Sequence, residues 1–85
     1  MYAIVVSKEA LKELKALPKV IVRNISNAID GLEEQPRPSG CKKLKGIQPA
    51  LWRIRIGDYR VIYLVDDVVR IVEIRRIAHR KDVYE

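Results

Sequence analysis

Several residue types that build reactive sites and large cores are scarce in this chain. Among its 85 residues it has no phenylalanine, one cysteine (Cys41) and one histidine (His79). A single cysteine excludes an internal disulfide, and with one histidine it cannot form a Cys/His metal cluster, so we expect no metal and no cofactor. The longest apolar run near the start, Tyr2–Val6, is too short for a membrane span or a signal-peptide core. These absences predict a cytoplasmic protein with no membrane partner.

Positive charge, by contrast, is abundant. Lys and Arg number 17 against 11 Asp and Glu, which gives a formal net charge of +6. Residues 1–41 carry six basic and five acidic side chains, whereas residues 42–85 carry eleven basic and six acidic ones. We therefore expect a polyanionic or acidic partner to meet the second half of the chain. Composition alone leaves open the alternative that this basic surface only keeps the protein soluble.

The first half of the chain has the pattern of one strand followed by two helices. Tyr2–Val6 reads as a strand, and Ser7 can cap a helix that ends near Leu17. Pro18 is suited to the first turn of a second helix, whose apolar residues recur at helical spacing. The mixed charges on the outer sides of both helices are typical of a solvated surface.

Three runs rich in β-formers follow in the second half. Tight hairpin turns are predicted at Gly57–Asp58 and Asp66–Asp67 between them. The runs are Leu51–Ile56, Tyr59–Val65 and Val68–Ile77. The order β-α-α-β-β-β predicts a single α+β domain over residues 1–85, in which a two-helix hairpin packs on one face of a mainly antiparallel four-stranded sheet. The pattern does not predict the order of the strands.

Arginines concentrate on one face of the first predicted hairpin. Because side chains alternate along a strand, Arg53 and Arg55 share a face that Trp52 does not. A two-residue turn at Gly57–Asp58 would pair Arg55 with Arg60, and directly opposed residues lie on the same face. Arg53, Arg55 and Arg60 should therefore converge.

Two arginines opposite each other repel, by a few tenths of a kcal/mol or more, so their placement calls for an explanation. If the second turn also has two residues, Glu73 falls opposite Arg60 and relieves part of the repulsion. An ion-pair ladder on a solvent-facing sheet and an anion-binding site both fit this pattern.

The C-terminal segment adds further polar and aromatic groups. His79, Arg80 and Tyr84 follow the last predicted strand, which should bring them beside the arginines. A histidine can carry protons near neutral pH, although at a strand end it is more often structural or exposed.

Three segments of the chain together resemble the RelE/ParE toxin superfamily. They are Lys43-Leu44-Lys45-Gly46, Leu51-Trp52-Arg53-Ile54-Arg55-Ile56-Gly57-Asp58-Tyr59-Arg60-Val61-Ile62-Tyr63, and His79-Arg80-Lys81-Asp82-Val83-Tyr84. The resemblance spans essentially the whole chain and implies a RelE-like fold. RelE-like members cleave messenger RNA in the ribosomal A site without a metal, whereas ParE-like members poison DNA gyrase.

The resemblance to the RelE-like branch implies a catalytic set on a basic, concave sheet. It places an arginine after the G-x-Y pattern at Arg60, a second at Arg80 and a tyrosine at Tyr84. The family's two basic residues before the turn are commonly lysine, and this chain has Arg53 and Arg55 there instead. We expect the protein to be the toxin of a type II toxin–antitoxin system, a ribosome-dependent endoribonuclease that inhibits translation. Its expected partners are a RelB-like, acidic antitoxin, the ribosome and mRNA.

The side-chain chemistry separates the expected roles. Arginine stays protonated, so the four arginines can stabilise a phosphate but cannot act as a base. Tyr84 can move a proton if nearby cations favour its phenolate, or it can stack on a base. His79 is the other candidate proton carrier, and Glu73 is a weaker one. RNA-binding roles without sequence choice are expected for Lys42, Lys43, Lys45 and Lys81.

Two other functions share much of this pattern. A ParE-like inhibitor of DNA gyrase would share the fold without needing proton carriers in the tail, so His79, Arg80 and Tyr84 argue against it. A non-catalytic RNA-binding domain fits the charge, but the chain lacks the signature motifs of the RRM and KH domains.

Overall fold

Two helices and five strands make up the computed structural model, which describes residues 1–46 and 49–82. In chain order they are β1 (Ala3–Val6), α1 (Lys8–Lys15), α2 (Lys19–Gly31), β2 (Lys42–Lys43), β3 (Trp52–Ile56), β4 (Tyr59–Asp66) and β5 (Ile71–His79). A short 3₁₀ turn, Arg80–Asp82, follows β5 directly. Residues 47, 48 and 83–85 lie outside the described part of the chain, and Tyr84 is among them.

The start of α1 is fixed by the residue that the sequence pattern indicates. The hydroxyl oxygen of Ser7 accepts a hydrogen bond from the backbone N–H of Ala10 at 3.1 Å, which satisfies one of the free donors of the first turn. The same hydroxyl donates to the backbone carbonyl of Arg75 at 3.1 Å. Ser7 therefore caps α1 and attaches it to β5.

The strands lie in the order β1-β5-β4-β3-β2. The first strand runs parallel to β5, and the other neighbours are antiparallel. The predicted α+β fold, with helices on one face of a mainly antiparallel sheet, is confirmed. The sheet has five strands rather than four, because Lys42–Lys43 pairs with β3 at one edge.

The hydrophobic core lies between the helices and one face of the sheet. From the helices come Ile25 and Ile29, and from the sheet come Val61, Tyr63 and Ile74. All five are buried. The phenolic hydroxyl of Tyr63 donates to the backbone carbonyl of Pro36 at 2.7 Å, and burial raises the pKa of that hydroxyl. This bond ties the loop after α2 to the middle of the sheet.

The prediction of a two-residue turn at Asp66–Asp67 is wrong. Asp66 still belongs to β4, where it pairs with Ile71, and a four-residue turn over 67–70 connects the strands. The Asp66 carboxylate accepts hydrogen bonds from the backbone N–H groups of Val68 and Val69 at 3.0 and 3.1 Å. The carboxylate thus stabilises a turn longer than the sequence pattern indicates.

The longer turn also changes the register between β4 and β5. Arg60 pairs with Ala78, and Glu73 pairs with Leu64. A register shift between Ile62 and Tyr63 contributes to this pairing. The predicted placement of Glu73 opposite Arg60 is therefore wrong. Glu73 instead forms an ion pair with Arg75, further along its own strand.

A polar cluster holds the end of the sheet that contains this turn. The Arg37 guanidinium binds both carboxylate oxygens of Asp67, at 3.1 and 2.7 Å, and Tyr2 donates its hydroxyl to the same carboxylate at 2.7 Å. These hydrogen bonds, first from Arg37 and then from Tyr2, lower the pKa of Asp67 from 3.8 to about 2. Arg37 also lies 5.0 Å from the centre of the Trp52 ring. The cluster thus links β1, the loop after α2, β3 and the turn.

The described residues contain neither a membrane-spanning helix nor a metal-binding cluster. Neither helix in residues 1–46 and 49–82 is long and apolar enough to cross a membrane. The same part of the chain contains no group of three or more His, Cys, Asp or Glu side chains that could hold a metal ion.

Candidate nucleic-acid interface

The hairpin of β3 and β4 carries the three arginines that were predicted to converge from the alternation of side chains along the strands. Arg55 pairs directly with Arg60, and Arg53 pairs with Ile62, in the predicted register. Gly57 begins the connecting turn with a φ of +60°, a left-handed conformation that glycine adopts without a steric penalty. All three arginines lie on the sheet face opposite the core. We call this surface the arginine face.

Burial differs sharply among these arginines. Arg53 is 2% exposed and Arg60 is 7% exposed, whereas Arg55 is exposed. The guanidinium Nη1 of Arg60 donates to the backbone carbonyl of Tyr59 at 3.5 Å, a long hydrogen bond that holds the group close to its own strand. Removing a guanidinium from water is costly, and its interaction with an anion strengthens as water is excluded. Arg60 thus combines a central position with a setting in which charge interactions are strong.

Lysines join the arginines at the outer edge of the sheet. Because Lys42 pairs with Arg53, its side chain shares the arginine face, whereas Lys43 pairs with Trp52 on the other face. A cavity of about 370 Å³ at this edge is lined by Lys42, Lys43, Leu44, Lys45 and Arg53. The structure therefore brings the three predicted RNA-binding lysines next to Arg53.

Leu44 explains how a lysine-rich segment is fixed in place. Its side chain is 9% exposed, and its backbone N–H donates to the carbonyl of Leu51 at 2.8 Å. The sequence analysis predicts no strand at Lys42 and Lys43. Leu44, the apolar residue between Lys43 and Lys45, is the feature of the sequence that indicates a buried contact in this segment.

Arg80 lies beside the tip of the arginine hairpin. Its backbone N–H donates to the carbonyl of Asp58 at 2.7 Å, and its side-chain Nε is 3.7 Å from the Asp58 carboxylate. Arg60 follows Asp58 by only two residues, so Asp58 connects the two arginine-bearing segments. Sequence reasoning assigned Asp58 only to the turn, since no local pattern indicates its partner at the far end of β5.

The expectation that His79 converges with the arginines is wrong. It pairs with Tyr59, and both side chains lie on the sheet face that packs against the helices. The two rings are in edge contact, with centroids 5.3 Å apart and planes at 80°. Nδ1 of His79 also accepts a hydrogen bond from the backbone N–H of Lys81 at 3.2 Å. These contacts hold the imidazole on the helix side of the sheet.

Two predicted residues remain at the end of the chain. Lys81 is exposed on the 3₁₀ turn, next to Arg80. Tyr84 lies outside the described residues.

Cations dominate the arginine face, so it can hold a phosphate by paired hydrogen bonds and stabilise charge that builds on it.

Comparison with known proteins places the chain in one family. The family model of the ParE toxin of type II toxin–antitoxin systems, parDE, matches residues 4–84. The chain is similar to the RelE1 protein of Methanocaldococcus jannaschii, with 38% identity in an alignment that covers 94% of this chain and 91% of the relative. It is also similar to toxin RelE of Mycobacterium tuberculosis, with 34% identity over 98% of this chain and 86% of the relative.

A solved structure gives the same result for the fold. The archaeal RelE–RelB complex from Pyrococcus horikoshii contains a chain that superposes with a TM-score of 0.83 and 34% identity, over 96% of this chain and 98% of that one. The curated relatives and this structural neighbour carry the RelE name, whereas the family model carries the ParE name, and both names belong to one superfamily. The protein is thus a member of the ParE toxin family of type II toxin–antitoxin systems, within the RelE/ParE superfamily.

Proposed function

We propose that this toxin is a ribosome-dependent endoribonuclease that cleaves mRNA in the cytoplasm and so inhibits translation. The observation that carries the proposal is the arginine face, where Arg53, Arg55 and Arg60 converge on the side of the sheet opposite the helices. A surface that served only to keep the protein soluble would gain nothing from burying two of these three guanidinium groups.

The proposed reaction is an internal attack within the RNA strand. The ribose 2′-oxygen bonds to the neighbouring phosphorus as its proton passes to a base. The bond from phosphorus to the 5′-oxygen of the next nucleotide breaks, and that oxygen takes up a proton. The products are a 2′,3′-cyclic phosphate and a 5′-hydroxyl, so no water or metal ion is consumed. Negative charge builds on the phosphate oxygens and the leaving oxygen, which is where fixed cations lower the barrier.

Each group of cations has its own proposed role. Arg60 stabilises the phosphate in the transition state, because it is the buried arginine paired directly with another, Arg55. Arg80 approaches from the hairpin tip to meet charge on the same phosphate or on the leaving oxygen. Lys42, Lys43 and Lys45, with Arg53 in their cavity, bind the RNA backbone on either side of the cut. Lys81 adds to this contact.

Proton transfer is proposed for Tyr84, on the strength of its position in the family motif. Its proposed task is to accept the 2′-hydroxyl proton, which a tyrosine can do as the phenolate. Tyr84→Phe keeps the ring and removes the acidic proton. Wild-type cleavage by this variant would limit Tyr84 to stacking on a base.

A partner antitoxin is the second part of the proposal. The structural neighbour from Pyrococcus horikoshii is a RelE–RelB complex, and the net charge of +6 on this chain suits an acidic, RelB-like antitoxin. We propose that the antitoxin covers the arginine face, and binding should then weaken as salt concentration rises. Salt-independent binding would place the antitoxin on an apolar surface instead.

The alternative function is inhibition of DNA gyrase, which the name of the matching family model favours. The two functions are separated by adding purified toxin to translating ribosomes, mapping mRNA 5′ ends, and running a gyrase supercoiling assay in parallel. The nuclease proposal requires new 5′ ends at the ribosomal A site and unaffected supercoiling. Intact mRNA together with blocked supercoiling would replace it with the gyrase function.

A further inference from the structure

The tip of the arginine hairpin contacts Arg80 twice through one residue. The backbone carbonyl of Asp58 accepts the Arg80 N–H at 2.7 Å, and its carboxylate lies 3.7 Å from Arg80 Nε. The Arg80 side chain is 58% exposed and the Asp58 side chain 63% exposed. An arginine this exposed has many rotamers, and the pair with Asp58 reduces their number.

A second set of contacts holds the other side of the same turn. His79, just before Arg80, packs its ring against Tyr59, just after Asp58. Nδ1 of His79 accepts the backbone N–H of Lys81, which follows Arg80. The backbone of Arg80 is therefore fixed by its neighbours, and in the described part of the chain its side chain pairs with the Asp58 carboxylate.

We propose that Asp58 is a positioning residue for Arg80 in RNA cleavage, an inference that rests on the nuclease function proposed above. Its carboxylate draws the guanidinium toward the hairpin tip, two residues from Arg60. Arg80 then meets the scissile phosphate from a fixed direction. Loss of this restraint would leave Arg80 charged and present but poorly oriented at the moment of reaction.

This role predicts opposite effects on affinity and rate. A carboxylate beside an RNA-binding face repels phosphates, so its neutralisation should leave RNA binding unchanged or make it tighter. A positioning carboxylate should nevertheless increase the rate of the chemical step. A residue that only repels RNA would weaken binding without raising kcat, and a residue that only supports the fold would change thermal stability.

The first test is Asp58→Asn, since Asn suits a turn next to glycine and keeps a hydrogen-bond acceptor. Single-turnover cleavage is measured on mRNA bound to ribosomes, with toxin varied to saturation. We expect the maximal rate to fall about 10-fold, because small misplacements of a catalytic group are costly, while the half-saturating concentration stays the same or falls. Asp30→Asn is the matched control, an exposed carboxylate on α2 in the helix layer, and should change neither quantity.

The second test combines Asp58→Asn with Arg80→Ala. If Asp58 acts through Arg80, the double variant should cleave at the rate of Arg80→Ala alone. In parallel, NMR relaxation of Arg80 Nε in the free toxin should show greater mobility in Asp58→Asn than in the wild type, which reports positioning without any RNA.

The outcomes separate the two proposals. Equal maximal rates for Asp58→Asn and the wild type, fully additive losses in the double variant, or unchanged Arg80 mobility would each overturn the role of Asp58 while leaving the nuclease function intact. Wild-type toxin that leaves ribosome-bound mRNA whole would instead refute the nuclease function, and the NMR comparison would still decide whether Asp58 restrains Arg80.

Discussion

The two faces of the same sheet differ in the side chains that they bury. On the helix side, Val61, Tyr63 and Ile74 are 0% exposed and pack against α1 and α2. On the other side, Arg53 and Arg60 are nearly as well buried, although each brings a charge with it. Because the strands alternate, adjacent residues such as Arg60 and Val61 serve the two faces in turn.

This difference shows how one sheet can separate the residues that stabilise the fold from those proposed to act on RNA. Burial of apolar side chains on one face supplies most of the favourable free energy of folding. On the arginine face Arg55 lies directly opposite Arg60, and like charges in this position destabilise a pair of strands. Substitutions on the helix-covered face should therefore change mainly stability, and substitutions on the arginine face mainly cleavage.

The largest expected effect on folding comes from the helix-covered face. Ile74→Ala should lower the free energy of unfolding by about 2 to 5 kcal/mol, because it leaves a cavity in the core. Small domains have a free energy of unfolding of about 5 to 15 kcal/mol, so the substitution would remove a large part of it. Urea or thermal denaturation measures the change. At temperatures where the variant is folded it should cleave like the wild type. A loss of activity there would show that the helix-covered face also contributes to cleavage.

The largest expected effect on chemistry comes from Arg60→Ala. The rate of cleavage should fall by about 10² to 10³-fold, the usual cost of removing a donor that stabilises transition-state charge. Binding to ribosomes should fall far less, since the proposed role of Arg60 is to meet charge in the transition state. Single-turnover kinetics and ribosome cosedimentation measure the two effects. Equal losses in rate and affinity would reduce Arg60 to a docking residue.

A smaller effect is expected where a polar group enters the core. Tyr63→Phe removes the hydroxyl that donates to the buried carbonyl of Pro36. The free energy of unfolding should fall by about 1 to 3 kcal/mol, because the carbonyl is left without its donor. Chemical denaturation measures the change, and Tyr59→Phe, on the same face of β4, is the control. A loss as small as that of the control would show that water replaces the missing hydroxyl.

The smallest effect should depend on pH and should come from the end of the sheet opposite the hairpin tip. Hydrogen bonds from Arg37 and Tyr2 lower the folded-state pKa of Asp67 from 3.8 to about 2. A lowered carboxyl pKa adds stability above pH 3.8 that is lost as the pH falls toward 2. Asp67→Asn should therefore melt slightly below the wild type at neutral pH, and the two melting temperatures should converge toward pH 2. A difference that persists in acid would assign the effect to packing.

Much of the fold was predictable because it follows from local patterns. The Ser7 cap, the Gly57–Asp58 turn and the pairing of Arg55 with Arg60 are all as the sequence predicts. Each depends on a few neighbouring residues: a hydroxyl before a helix, a glycine at the turn, and strict alternation along two strands. The convergence of the arginines is a direct consequence of that register.

The errors occurred where a longer-range or less regular feature decides the structure. Asp66 and Asp67 suggest a two-residue turn, but the Asp66 carboxylate binds the N–H groups of Val68 and Val69 and stabilises a four-residue one. That change moved Glu73 away from Arg60, and the register shift beside Ile62 and Tyr63, where β5 has one extra residue, put His79 on the helix side. Asp58 lies just before β4 and Arg80 just after β5. No local pattern predicts their contact, because they are far apart in the sequence.

The central claim is that the arginine face promotes attack by the ribose 2′-hydroxyl. The most direct test is wild-type toxin acting on ribosome-bound mRNA that carries one 2′-deoxynucleotide on the 5′ side of the mapped cleavage position. We predict that the all-ribose mRNA is cut to leave a 5′-hydroxyl and a 2′,3′-cyclic phosphate, and that the substituted mRNA is not cut there although the toxin still binds the ribosome. Cleavage at the deoxynucleotide, or a product with a 5′-phosphate, would contradict the account.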